Sequence, residues 1–227
     1  MRITQQTTFN IPPVSAQTFL RENSSFPAVV LATEKPQNKF YHSAFDDASN
    51  LGFVYRNTSQ DFDVLPGLSD DFNSSTVQSK IRNVATILAL GIYEVIEGKE
   101  FDKTQIASAV FVDEFLYCYL VATKCRLFQA TFDFPGSFRG NDFPPTRYVS
   151  VQASVTLEAT GWAHRTFGFV LSKKVPNMSK ENCTKLPLSW IPGSNGIGEC
   201  RFTTQNFSLA LSPAFEEPGY DFKSNKY

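Results

Sequence analysis

The stretch KFYHSAFDDASN, residues 39–50, sets His42 four residues before Asp46 and five before Asp47. A histidine with an acid about one helical turn further on can serve as a metal ligand with a neighbouring carboxylate, and a catalytic zinc is built from about three such ligands plus an open position. The remaining ligands would have to come from elsewhere, and the sequence offers little. There are only two histidines, and no second His-x-Asp or Glu-Glu pair falls at a strand end. GxSxG, P-loop and Gly-rich phosphate turns are absent, and two unrelated histidines make no Ser/His/Asp set. No metal or cofactor is expected, and catalysis by this chain alone is not expected either.

The elements around His42 follow from patterning. Ser15 reads as the N-cap of a short helix to about Arg21. PAVVLAT, residues 27–33, is a continuous apolar run that reads as a strand buried on both faces, with His42 about ten residues beyond its C-terminal end. Ligand sites of open α/β sheets gather at such ends. From about Ser75 to Glu97, apolar residues recur at three- and four-residue spacing, with Ser74 or Ser75 capping the start and Gly98 the end. That face must pack on something, most simply a sheet. A second helix, about Thr104 to Lys124, is apolar nearly all round and reads as buried.

After the turn-rich PGSFRGNDFPP the text changes. YVSVQASVTL (148–157) alternates strictly and WAHRTFGFVL (162–171) reads as its hairpin partner, which places His164 on a strand in a structural or surface role. The expected fold class is α/β, with helices flanking a sheet over residues 1–134, a β-rich portion with a hairpin over 135–215, and a tail over 216–227.

A chain of 227 residues with 21 basic and 22 acidic side chains, net charge −1 and no run of one sign gives no reason to expect nucleic acid as a partner. Neither a signal-like apolar segment nor a bilayer-spanning one occurs. The sequons nevertheless point to a lumenal or extracellular setting. Asn-x-Ser/Thr occurs at Asn23, Asn57, Asn73, Asn177, Asn182 and Asn206. Thirteen asparagines in a chain whose Ser and Thr make up about one residue in six would give only about two by chance. Cys183 and Cys200 bracket CTKLPLSWIPGSNGIGEC, a loop without obvious secondary structure, where a bridge would contribute about 3 kcal/mol through the unfolded state. Cys118 and Cys125 read as buried thiols, since seven helical residues would hold their Cα atoms about 10 Å apart, beyond disulfide reach.

In order along the chain, PPVSAQTFLRE, VVLATEKPQNKFYHSAFDDASN, VATILALGIYEVIEG, the pair Cys183 and Cys200, and LALSPAFE resemble successive landmarks of the nicastrin family, from about Ile11 to Phe215. The resemblance implies the later part of a large lobe with a zinc-aminopeptidase-like three-layer fold, related also to the transferrin receptor. It implies a non-catalytic subunit of the intramembrane protease γ-secretase, whose catalytic aspartates belong to presenilin. Its implied partners are presenilin, the other γ-secretase membrane subunits and type I membrane protein substrates such as Notch and amyloid precursor protein, which the bulky lobe would gate sterically. It implies the lumenal part of a single-pass type I membrane protein of the ER, Golgi, plasma membrane and endosome. His42 then stands where related peptidases keep a zinc ligand and is a relic position, and Cys183 and Cys200 form a disulfide. The family's signal peptide, small lobe and acidic substrate-proximal motif would lie upstream of residue 1, and its membrane helix after Tyr227, so the chain reads as a fragmentary gene model or a truncated product. The alternatives are an active zinc aminopeptidase using His42 and a receptor-like binding protein.

Overall fold

The structure, a computed structural model, describes residues 16–30, 43, 45–58, 61–62, 72–99, 106–132, 140–146, 158–184 and 187–203. The chain falls into two compact units, Met1–Asp46 and Asp47–Tyr227. In the first, helix α1 (Ala16–Glu22) forms where the sequence sets it, and the turn after it stacks Phe26 on Phe19 with ring centroids 5.3 Å apart. Residues 27–30, the described part of the expected strand, are not in a strand, and Val29 is 89% exposed. An apolar run gives no periodicity by which to tell a strand from an extended segment, which is why the reading fails there.

In the second unit, α2 (Ala48–Leu51) is a single turn between the Asp47 cap and Gly52. Helix α3 (Val77–Glu97) matches the expected span, but its N-cap is Thr76, whose hydroxyl accepts from the Ser79 N–H, rather than Ser74 or Ser75. Asn73 takes up Ser75 instead, accepting from both its N–H and its Oγ at 3.0 Å. Among the described residues the neighbour of α3 is a helix rather than a sheet: it packs on α4 (Ala109–Leu120), and Thr86 Oγ1 accepts from the Ala107 N–H at 3.0 Å.

The expected helix from Thr104 to Lys124 is shorter. Helix α4 ends at Leu120, the chain turns, and Cys125 caps a second short helix, α5 (Arg126–Ala130), its Sγ accepting from the Phe128 N–H at 3.4 Å. That break corrects the reading of Cys118 and Cys125 as separate thiols. With the helix interrupted between them, their Cα atoms lie 5.5 Å apart and the sulfurs are bonded. Gly140 seals the turn from outside: a Cβ there would sit 2.4 Å from the Lys124 Cα, where the Lys124 N–H donates to the Asn141 carbonyl at 3.0 Å.

The hairpin expected over 148–171 is also corrected. Residues 148–157 lie outside the described residues, and Glu158–Val170 is a helix, α6. Trp162, Thr166 and Phe169 recur at helical spacing, and the Trp162 indole N–H reaches back to Glu158 Oε1 at 3.5 Å, an i to i+4 pair available only to a helix. Their face closes the core: Phe128, fully buried, stacks on Trp162 with centroids 4.3 Å apart, beside Leu127 and Phe169.

The region does contain a hairpin, in the loop that showed no secondary structure. Strands β2 (Leu188–Ile191) and β3 (Glu199–Phe202) pair antiparallel, and β1 (Lys173–Val175) pairs with the other side of β3, giving the order β1-β3-β2. The short helix α7 (Lys180–Cys183) lies between β1 and β2 in the chain. Among the described residues the architecture is mixed: helices around an aromatic core plus one small antiparallel sheet.

Candidate functional site

His42 lies outside the described residues. Of the two acids that follow it, Asp46 donates its N–H to the Ser43 carbonyl at 3.2 Å. The Asp47 carboxylate accepts the Asn50 N–H at 2.8 Å, an N-cap bond that explains the spacing of an acid three residues before Asn50. No group of three or more His, Cys, Asp or Glu side chains able to hold a metal ion occurs among the described residues. His164, expected on a strand, is on α6.

The acids with the strongest electrostatic environment are others. Asp113 and Glu114, in the middle of α4, are each 1% exposed. A helix reading AVFVDEFLYCYL carries its charge where burial is deepest, and buried carboxylates persist only with partners. Asp113 accepts the Arg56 N–H on both oxygens, at 3.2 and 3.1 Å, and the Gln78 side-chain amide at 2.7 Å. Gln78 also donates to the Val54 carbonyl at 2.8 Å, so one amide ties the 53–57 segment to α3 and α4 together. Glu114 Oε1 accepts the Tyr55 hydroxyl at 2.7 Å, Arg126 Nε at 3.0 Å and Arg126 Nη2 in a shorter contact, while Nη2 also reaches the Thr58 carbonyl at 2.9 Å. Burial pushes the Asp113 carboxyl above the usual range, against the pull of its donors. Burial, aided by Glu114, pushes the Tyr55 phenol well above its ordinary value. Each of these groups holds a loop to a helix, and the arrangement is a structural clamp. Sequence reading missed it, although two adjacent acids inside an otherwise apolar helix were the signal.

A second charged group sits on the sheet. Glu199 and Arg201 alternate onto one face of β3, with Arg201 Nε 2.5 Å from Glu199 Oε1 and Lys174 Nζ 2.7 Å from Oε2. The Arg201 guanidinium lies 4.0 Å from the centre of the Phe169 ring. Burial alone would raise the Glu199 carboxyl, but the bonds from Lys174 and Arg201 outweigh it and hold it below the usual range.

Cys183 and Cys200 are bonded, with Cα atoms 5.7 Å apart, so α7 is fastened to the central strand of the sheet. The sequon asparagines Asn23, Asn57, Asn73, Asn177 and Asn182 are all exposed, and Asn57 and Asn177 have left-handed backbone, φ 47° and 57°. Asn206 lies outside the described residues. Five exposed sequon asparagines and two disulfides are the surface and covalent features on which a lumenal reading can rest.

The family model described as the nicastrin large lobe matches residues 2–93. Three curated proteins named nicastrin, from Mus musculus, Rattus norvegicus and Homo sapiens, are each 28% identical over 226 residues, covering 91% of this chain. The chain is similar to nicastrin over most of its length. It spans 30% of the length of those nicastrins, and the family model itself reaches from the first helix into α3.

Proposed function

We propose that this chain is a portion of a nicastrin-like, non-catalytic subunit of γ-secretase, lumenal in a single-pass membrane glycoprotein. In that role it supports assembly with presenilin and the other membrane subunits. Its bulk restricts entry to type I membrane protein substrates with short ectodomains, through exclusion rather than bond chemistry. The observation that carries the reading is similarity to nicastrin running through nine-tenths of the chain. The use of the acids supports it as well: the half-buried Asp47 caps a helix, and the buried Asp113 and Glu114 clamp loops to helices. In this reading the lobe belongs to the three-layer aminopeptidase-like class, His42 is a relic ligand position, and the exposed sequons carry glycans. The test is purification of the tagged full-length protein from detergent-solubilised membranes of its own cells. Co-purification of presenilin, with zinc well below one equivalent per chain, supports the proposal; one equivalent of zinc without presenilin overturns it.

A further inference from the structure

The sequons differ in what their third residue does. At Asn73 the side-chain carbonyl and the Ser75 hydroxyl are joined directly at 3.0 Å in the turn ahead of α3, so the acceptor amide and the hydroxyl two residues on stand together. At Asn182 they do not. Asn182 is within α7, where residues i and i+2 project to different sides, and the Thr184 hydroxyl donates instead to the Glu181 carbonyl at 3.0 Å. Between them lies Cys183, fully buried and bonded to Cys200, whose strand is paired on both sides, with Val175 and with Trp190. A glycosyltransferase that must engage both the amide and the hydroxyl of Asn-Cys-Thr cannot do so while the bridge and α7 are in place.

We propose that Asn182 accepts a glycan only before the Cys183–Cys200 bridge closes, so that its occupancy is set by a race between glycosyl transfer and disulfide formation, whereas Asn73 is free of that control. The inference rests on the lumenal reading above. In the transfer, Asn182 Nδ2 bonds to the anomeric carbon of an oligosaccharide carried on a lipid pyrophosphate. The carbon–oxygen bond to the pyrophosphate breaks, the lipid pyrophosphate leaves with that electron pair, and Nδ2 gives one proton to base. In the competing step the two thiols lose two protons and two electrons to a disulfide-bearing oxidoreductase, which leaves as its dithiol. The two cysteines are separated by 17 residues, so at roughly 5–20 residues per second Cys200 follows Cys183 by only about 1–3 s. Disulfide formation then takes seconds or longer, which puts both reactions in one window.

The experiment is translation of the full-length precursor with ER-derived microsomes, with and without dithiothreitol, followed by enzymatic deglycosylation in heavy-oxygen water and peptide mass spectrometry of the total membrane-protected product. Lys180 lets trypsin separate Asn177 from Asn182. Reductant is expected to raise Asn182 occupancy relative to Asn73 by about twofold or more, as when one of two comparable competing steps is removed. Cys200→Ser, which leaves the Asn182 triplet intact, is expected to do the same without reductant, and total product is read so that folding of the variant is immaterial. An unchanged ratio of Asn182 to Asn73 under both conditions, with Asn73 modified, overturns the race. Modification of neither asparagine, nor of any other sequon, overturns the lumenal reading and the race with it.

Discussion

Replacing Asp113 tests whether the buried clamp carries stability. Asp113→Ala removes the acceptor of the Arg56 N–H and of one Gln78 amide hydrogen, in a site where Gln78 is 2% exposed and keeps only its bond to the Val54 carbonyl. Hydrogen bonds to a charged group contribute about 1.5–3 kcal/mol each, and the desolvation of the carboxylate offsets part of that, so the expected loss is about 3 kcal/mol. At about 2–4 °C per kcal/mol for a domain of this size, Tm falls by about 6–12 °C. Asp113→Asn keeps one acceptor oxygen and is expected to lose about 1 kcal/mol. The pH dependence adds a signed test. Because burial raises the folded-state value of Asp113, the unfolded chain releases its proton first as pH rises. The stability contributed by Asp113 is therefore complete below the ordinary carboxylate value and declines as pH rises through the folded one. Urea unfolding of wild type and Asp113→Asn from about pH 4 to about pH 8 is expected to show the gap between them narrowing toward neutrality. A gap that widens with pH, or an Asp113→Ala variant within about 0.5 kcal/mol of wild type, refutes the reasoning.

Glu199 titrates in the opposite sense: its carboxyl is held below the usual range, so its contribution is present above the ordinary value and lost as pH falls through the lowered one, and Glu199→Gln is expected to lessen the acid loss seen in a pH series of melts. Removing the Cys183–Cys200 bridge is expected to cost about 3.2 kcal/mol through loop closure, against about 2.5 kcal/mol for Cys118–Cys125 with its shorter loop, so denaturation of the paired Cys→Ser variants ranks them in that order. Gly140→Ala brings a Cβ against the Lys124 backbone and is expected to destabilise by about 1–3 kcal/mol, with a lowered urea midpoint as the readout; an unchanged midpoint removes the close approach from the account.

Where the sequence was legible, local physics decided the structure. Helix α3 announces itself by its apolar period and ends at Gly98 in left-handed backbone, φ 64°. The short α1 was equally plain. What was not legible depended on contacts distant in sequence. Nothing in the apolar text from Ile106 to Lys124 shows where α4 stops, because the stop is made by the turn that Asn141 and Phe143 hold from across the 133–139 segment. The disulfide Cys118–Cys125 is hidden for the same reason, since a helix drawn one turn too long separates the sulfurs. Residues 158–170 mix aromatic and small residues whose alternation resembles a strand, and the stacking of Trp162 on Phe128 selects the helix. The acids near His42 drew attention by spacing, while the clamp at Asp113 and Glu114 is recognised only once Tyr55, Gln78 and Arg126 converge on it.

The most direct test of the proposed role is complementation. The full-length protein, expressed in cells that lack their own nicastrin, is assayed for intramembrane cleavage of a shed Notch-type substrate, beside a variant with His42→Ala. Cleavage restored to the same extent by both proteins is the result expected of a non-catalytic subunit in which His42 is a relic. Failure of wild type to restore cleavage contradicts the assignment to γ-secretase, and restoration that disappears with His42→Ala contradicts the non-catalytic role.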